Sequence, residues 1–339
     1  MNATDGSTGT TSGERPAGRA GERPSERPGE RLGFLGPFGT FTEQALRNEP
    51  DLAVMTLVPI RSMPDVLDAV AAGEVELGFI AIENSIEGTV NLAQDALVFD
   101  HSLVIQREVV LDIEHCLLAR AGTALADVKV VHSIGVASAQ CHAYLRRELP
   151  QAELQAANST AEAARTVGEL AERGHAAVAP RVAAPLYGLD VIVADIADHP
   201  GNQTRFVLVA RDGVAPATGH DKTSIVVYQR ANEPGSLISI LAEFAARRIN
   251  LTKLESRPTK AGGLGDYCFV IDAEGHIDDE VLADALRDLH AKQGDVKFLG
   301  SYPMAGAHAE STRVHADQAW RAADDWLSAL RSKVRTGRG

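Results

Sequence analysis

Thr223-Ser224-Ile225-Val226-Val227-Tyr228, followed by Gly235-Ser236-Leu237-Ile238-Ser239-Ile240-Leu241-Ala242-Glu243-Phe244, is the stretch on which the fold turns. The first run is β-branched and apolar, the composition of a strand. In the second, Gly235 opens a helix whose Leu237, Ile240, Leu241 and Phe244 recur at i, i+3, i+4 and i+7, one buried face. Leu251 to Arg257 and Tyr267 to Asp272 read as two further strands joined by a Gly-rich turn at 261–265. Asp278 to His290 is a second helix with Val281, Leu282, Leu286 and Leu289 on one side, and Val296 to Leu299 is a last strand. The order is βαββαβ, a ferredoxin-like split unit over residues 222–303.

Working back towards the N-terminus, residues 213–222 have the composition of a linker. Before them, residues 31–212 alternate short apolar strands with helical segments. Strands are expected at Leu32–Gly36, Leu52–Val58, Val75–Ile82, Val128–Val131, Leu154–Ala157, Ala176–Ala179 and Val191–Ala194. Helices are expected from Thr40 or Thr42 through Leu46 and over Met63–Ala72, Gly88–Phe99 and Val136–Leu149. Ser159-Thr160-Ala161-Glu162 forms a capping box that opens another. This alternation argues an α/β unit with parallel sheets covered on both faces. About 180 residues suit one large domain or two lobes around a cleft. We place the crossings in the β-rich stretch 103–119 and the return at 195–210, giving lobe 1 over 31–105 and 196–212 and lobe 2 over 106–195.

The termini differ. Residues 1–30 are Gly, Ser, Thr, Pro and paired charges, with Glu-Arg-Pro at 14–16, 22–24 and 26–28, and are expected to be a disordered tail. Residues 304–339 read as an exposed helix and tail bearing Trp320, Trp326 and Leu330, a packing or oligomer element.

The chain has 339 residues, 45% hydrophobic and 23% charged, with 46 acidic against 33 basic side chains. That net charge of −13 argues against a nucleic-acid partner but leaves a small anionic ligand open, because local Arg and Lys dominate a cleft. Cys116, Cys141 and Cys268 are odd in number and widely spaced, so neither zinc nor a disulfide framework is expected, and a reducing, cytoplasmic setting is. No apolar run reaches ~18 residues and no secretory signal is apparent, so no membrane association is expected.

Four segments put polar residues at strand ends. Gly36-Pro37-Phe38-Gly39-Thr40-Phe41-Thr42-Glu43 allows close backbone approach to a ligand, with a helix start that can hold a carboxylate. Ile82-Glu83-Asn84-Ser85-Ile86-Glu87-Gly88-Thr89 follows a strand and delivers Asn84 and Ser85 to its carboxyl end, where open α/β sheets bind ligands. His132-Ser133-Ile134-Gly135-Val136-Ala137-Ser138-Ala139-Gln140 puts Ser133 at a strand end and Gln140 about two helical turns on. His132 has either a structural or an acid–base role, and no Ser-His relay spacing is visible. Gly201-Asn202-Gln203-Thr204-Arg205-Phe206 supplies amides, a hydroxyl and a guanidinium just before an apolar strand. Thr204 is neutral and donates without prior protonation, while Arg205 attracts a carboxylate.

In this order the four segments resemble the prephenate dehydratase family, from about Leu32 to Pro303. Glu83-Asn84-Ser85, the Ser133-to-Gln140 spacing and Thr204-Arg205-Phe206 together make the resemblance specific. The second region is similar to an ACT regulatory domain, with Gly235-Ser236-Leu237-Ile238 where the family usually has Gly-Ala-Leu-Val, and Glu255-Ser256-Arg257-Pro258 unchanged.

The resemblance implies a two-lobed, periplasmic-binding-protein-like catalytic domain without metal or coenzyme. The reaction would be decarboxylating dehydration of prephenate to phenylpyruvate in phenylalanine biosynthesis. Thr204 would be catalytic, and Arg205, Phe206, Glu83, Asn84, Ser85, Ser133, Gln140 and Thr40 would bind substrate. Gly235, Ser236, Leu237, Glu255, Ser256, Arg257 and Pro258 would bind phenylalanine as effector, in a homodimer or dimer of dimers. No chorismate mutase segment precedes Leu32, so the single-activity form is expected. Arogenate as substrate and a sensing module without turnover are the alternatives, and spacing alone makes Glu255 and Arg257 a surface ion pair.

Overall fold

The computed structural model describes residues 29–170, 172–229, 233–259, 266–305 and 325–332. The expected N-terminal tail, apart from residues 29 and 30, and Trp320 lie outside them. Trp326 lies in a helical turn over residues 325–331 and is 65% exposed.

Three sheets organise the chain. The first contains β1 (Arg31–Leu35), β2 (Thr56–Ile60), β3 (Leu77–Asn84), β4 (Gly88–Thr89), β5 (Val104–Asp112) and β11 (Gln203–Ala210). Its order is β2-β1-β3-β11-β5, with β4 paired to β3. The second contains β6 (Cys116–Ala119), β7 (Val130–Ser133), β8 (Glu153–Ala156), β9 (His175–Ala179) and β10 (Asp190–Val193), ordered β10-β6-β9-β7-β8. The chain passes between these lobes twice, at 113–115 and 194–202. The first crossing therefore lies beyond Asp112, later than the boundary expected at 105, because β5 stays paired with β11 as far as Asp112.

The sheets are mixed rather than parallel throughout. β1 lies parallel to β2 and β3, but β11 runs antiparallel to both β3 and β5, because it re-enters from the other lobe. In the second lobe β6 is likewise antiparallel to β9 and β10.

Local chemistry sets the helices. α1 (Phe41–Asn48) starts where Thr40 Oγ1 accepts from Glu43 N, and α3 (Met63–Ala72) where Ser62 Oγ accepts from Asp65 N. In the second lobe α7 (Thr160–Glu169) starts at Ser159, whose Oγ accepts from Glu162 N. The long helix expected at 136–149 divides at Cys141 into α5 (Gly135–Gln140) and α6 (His142–Glu148). Asp198 carboxylate oxygens accept from the Ala143 and Tyr144 N–H groups at 2.7 and 2.9 Å, giving the second piece its own start. The helix expected at 88–99 resolves into β4, α4 (Asn91–Asp95) and a π-helical turn over Ala96–Asp100.

The third sheet, order β13-β14-β12-β15, is the ferredoxin-like unit. It consists of β12 (Asp221–Tyr228), α9 (Ser236–Ala246), β13 (Leu251–Pro258), β14 (Tyr267–Glu274), α10 (Glu280–Lys292) and β15 (Asp295–Pro303). Its helices cover one face, with Ile240, Phe244, Leu282 and Leu289 in a shared core. The other face lies on the first lobe. Val226, Cys268, Val270, Leu299 and Tyr302 join Ile80, Ile82, Ile105, Val207 and Val209 in one continuous core. The first lobe's sheet is thus apolar on both faces. One side meets α1 through Phe34, Leu46, Phe79 and Phe206, and the other is shared by α3 and the ferredoxin-like sheet.

Candidate active site and effector site

β11 begins at Gln203, so Thr204 and Arg205 are strand residues and their side chains leave opposite faces. Thr204 lies opposite Asn84, and Arg205 lies opposite Glu83. One irregularity makes this possible. Phe206 pairs with Ala81, leaving Ile82 as an extra residue between the paired positions. Ile82 and Glu83 consequently both face the ferredoxin-like unit, the first in its shared core and the second 3.2 Å from Arg205 Nη1. The bulge re-phases the strand and aims Asn84 at Thr204.

A chain of amides runs from this pair to the second lobe. Asn84 Oδ1 accepts from the Ile86 and Glu87 backbone N–H groups, both at 3.0 Å, so Nδ2 must point the other way. Nδ2 lies 2.8 Å from Asn202 Oδ1 and 3.0 Å from Thr204 Oγ1. Asn202 Nδ2 donates to Gln140 Oε1 at 3.0 Å, and Gln140 Nε2 donates to Glu87 Oε1 at 3.1 Å. A carboxylate only accepts, so Glu87 fixes the sense of the Gln140 amide. Asn84 and Glu87 anchor every donor direction between them. Thr204 Oγ1 accepts from Asn84, which leaves the hydroxyl hydrogen free to donate elsewhere. Ser85 belongs to the same cluster, its Oγ accepting from Gln203 N at 2.9 Å.

The remaining residues expected to touch substrate are distributed as follows. Thr40 is buried as the N-cap of α1, at a place where the lobes meet: Tyr187 Oη donates to Phe38 O at 2.7 Å. Ser133 is 2% exposed at the end of β7, its Oγ donating to Ile134 O. His132 is paired with His175 at 3.0 Å.

Three expectations require correction. Arg205 faces away from the amide chain. Its guanidinium lies 2.7 Å from Asp272, 2.7 Å from Glu108 and 3.2 Å from Glu83, and donates to Tyr302 Oη at 2.9 Å. Burial pushes its pKa down, but Asp272, Tyr302 and Glu108 outweigh it and hold it well above normal. Both Nη atoms are engaged and Nε is buried against Glu108, so no edge is left for a substrate carboxylate. Glu83 goes with it to that seam. Phe206 is 1% exposed and stacks on Phe79 at 5.1 Å, so it is a shelf beneath Thr204 and not a surface contact. Arg205 and Glu83 share one reason: alternation along a strand splits a polar word between two faces.

The same alternation divides the second set. Gly235, Ser236, Leu237 and Ser256 line a surface cavity of ≈ 330 Å³. Gly235 holds φ 88° at the start of α9, a conformation that suits glycine, and the helix begins without a side-chain cap, Ser236 N donating to Glu233 O at 3.1 Å. Glu255 and Arg257, flanking Ser256, face the first lobe instead. Glu255 accepts from Thr89 Oγ1 at 2.5 Å, and Arg257 donates to Asp95 at 2.6 Å and Asn91 at 2.7 Å. They form neither an effector lining nor an isolated surface ion pair; they join the two units. Pro258 ends β13 on its exposed side.

Sequence reasoning passed over Asn202, Glu87 and His115. His115 Nε2 lies 2.8 Å from Gln140 Oε1, and its ring is 3% exposed. Asn202 and Glu87 stood within quoted segments, but nothing in the sequence marks His115.

The chain is similar to known proteins along most of its length. The prephenate dehydratase family profile matches residues 32–214 and the ACT domain profile residues 223–291. Prephenate dehydratase of Mycolicibacterium vanbaalenii is 43% identical over 314 residues, covering 88% of this chain and 98% of that one. The crystal structure of Arthrobacter aurescens prephenate dehydratase in complex with L-Phe superposes with a TM-score of 0.81 at 39% identity, covering 89% and 99% of the two chains. GqqA, described as a novel type of quorum-quenching acylase, superposes at 0.73 with 30% identity over 81% and 98%. With one profile spanning more than half of the chain and a second covering the ferredoxin-like unit, this protein belongs to the prephenate dehydratase family of hydro-lyases and carries an ACT domain.

Proposed function

We propose that the protein converts prephenate to phenylpyruvate, with Thr204 assisting departure of the C4 hydroxyl. The observation that carries this is the fixed sense of the Asn84–Thr204 hydrogen bond, which leaves the Thr204 hydroxyl hydrogen free to donate towards the substrate. The reaction loses carbon dioxide and hydroxide from one ring, and aromatisation drives it. What the protein must add is orientation of the ring and a donor preorganised where negative charge develops on the departing oxygen. With Arg205 engaged at the seam and the Asn84 and Gln140 amides spent on Thr204, Asn202 and Glu87, the carboxylates fall to uncharged donors: the hydroxyls of Thr40, Ser85 and Ser133 with neighbouring backbone N–H groups. Such donors bind a dianion without the deep electrostatic well a buried arginine creates, which favours release of one carboxylate as carbon dioxide.

An acyl-hydrolase reading draws no support from the hydroxyls. Ser85, Ser133 and Thr204 bond to amide and backbone groups, not to an imidazole. Burial raises the Cys116 and Cys268 thiols to about 11 and Cys141 to about 12, so they stay protonated and unreactive.

We further propose that phenylalanine binds in the cavity beside Gly235, its carboxylate on the α9 N–H groups. Ile238, Leu254 and Tyr267 are exposed apolar residues, the first and last beside this cavity, and suit coverage by a second ACT domain in a homodimer or dimer of dimers. Ultraviolet absorbance of phenylpyruvate, followed on prephenate and on arogenate with and without phenylalanine, tests the whole reading. Turnover of arogenate alone would reassign the substrate, and turnover of neither would leave a sensing module.

A further inference from the structure

We propose that His115 is a positioning residue: its Nε2–H, presented from the first interlobe crossing, locks the Gln140 amide and so fixes the sense of the chain ending at Thr204. The proposal rests on the catalytic reading of Thr204 and adds a residue to it.

Gln140 Oε1 is an acceptor because Gln140 Nε2 faces the Glu87 carboxylate. The His115 nitrogen 2.8 Å from that oxygen must therefore carry the proton, making His115 the Nε2–H tautomer. Nδ1 is then a bare acceptor, buried and without a hydrogen-bond partner. A residue that only filled space here would be apolar, since an orphaned ring nitrogen is a cost that phenylalanine or leucine avoids. The imidazole is justified by its other edge. Phe41 packs edge-on against the ring at 5.2 Å and 88°, holding its plane. The His115 backbone oxygen accepts from Ile196 N at 2.9 Å, so this residue also ties the two crossings together. Burial lowers the imidazole pKa, against opposing effects of Gln140 and Asp195, and keeps the ring a neutral single donor.

If the Gln140 amide turned over, its NH₂ would oppose the Asn202 NH₂ and its oxygen would oppose Glu87. His115 adds a third vote against that state. His115 holds Gln140 from the first crossing, as Asn202 holds it from the second.

The test uses full-length His115→Phe, His115→Gln and Gln140→Ala, the double variant His115→Phe/Gln140→Ala, and Thr204→Ala, assayed for prephenate turnover. His115→Phe is expected to lower kcat about tenfold, the rate equivalent of one neutral hydrogen bond, with a smaller change in KM. His115→Gln, which restores an N–H, recovers most of that loss. The double variant is no slower than Gln140→Ala, because His115 acts through Gln140. Additive losses, no rescue by glutamine, or an unimpaired phenylalanine variant would each overturn the proposal. ¹⁵N–¹H correlation on the wild-type protein gives a readout independent of variant folding, and an Nδ1–H tautomer at His115 also overturns it. Thr204→Ala separates the two readings: if it turns over normally the catalytic assignment fails, whereas if it is inactive while His115→Phe is normal, only the His115 assignment fails.

Discussion

Replacing Arg205 by methionine distinguishes a structural seam from a substrate clamp. Methionine keeps much of the volume and removes a charge that neutralises Glu108, Asp272 and Glu83. Breaking a buried ionic cluster by deleting one partner costs about 3–5 kcal/mol, because a charge is left uncompensated. The lower end applies here: Glu108 keeps Lys222 at 2.9 Å, Asp272 keeps Ser224 Oγ at 2.5 Å, and Glu83 is already 37% exposed. About 3 kcal/mol should therefore disappear from the urea unfolding free energy at pH 7. The pH dependence carries a sign. Burial pushes the Asp272 carboxyl up, but Arg205 and Lys222 outweigh it and hold its pKa below the usual aspartate range. In the wild type that contribution is complete above the unfolded aspartate pKa and is lost as pH falls through the lower folded value. In the variant burial dominates, the folded pKa rises, and the carboxyl becomes stabilising only when protonated. The deficit should thus be largest at pH 7 and shrink as pH falls towards about 5. KM for prephenate, measured well below the melting temperature, should stay within about threefold. Loss of a carboxylate-binding arginine would instead cost about 2–5 kcal/mol of binding. Unchanged stability with a KM raised a hundredfold would refute the assignment of Arg205 to the seam.

Three other outcomes follow from the same geometry. Thr204→Ala should lower kcat by about 10²–10³ without moving the melting temperature, and Thr204→Ser should recover most of it, by phenylpyruvate absorbance. Glu255→Gln combined with Arg257→Met removes the contacts with Thr89, Asn91 and Asp95, so phenylalanine should still bind by calorimetry but inhibit about tenfold less effectively. Gly300→Ala places a Cβ 2.3 Å from Ile105 O at φ 145°, wedging the ACT sheet off the first lobe, and should cost about 2–4 kcal/mol in urea unfolding.

The ACT domain was legible in the sequence because its cues are local: the helical stripe of Leu237, Ile240 and Phe244, and the β-branched run at 223–228. The Asn84, Gln140 and Thr204 cluster was legible through its polar words, although not its internal order. Facing was not legible. Reading Thr204-Arg205 as a turn before a strand at Phe206 hid the fact that the strand starts at Gln203, which sends the two side chains apart. Glu83 beside Asn84 and Glu255 beside Ser256 follow the same rule, with the bulge at Ile82 adding a phase shift that no periodicity reveals. His115 was invisible because its partner is 25 residues away and its role depends on which ring nitrogen carries the proton.

That phase shift also limits how this strand can be altered. Drawing the strand straight with Ile82 still in place would, by parity, exchange the destinations of its last two side chains, whereas excising Ile82 would leave Glu83 and Asn84 facing as they do. In the straightened strand a carboxylate would enter the chamber proposed for the dianionic substrate, and an amide would be stranded among the charges between the first lobe and the ACT domain. Both faces of the strand would be spoiled together by the loss of one irregularity at an aliphatic residue that itself sits in the shared core.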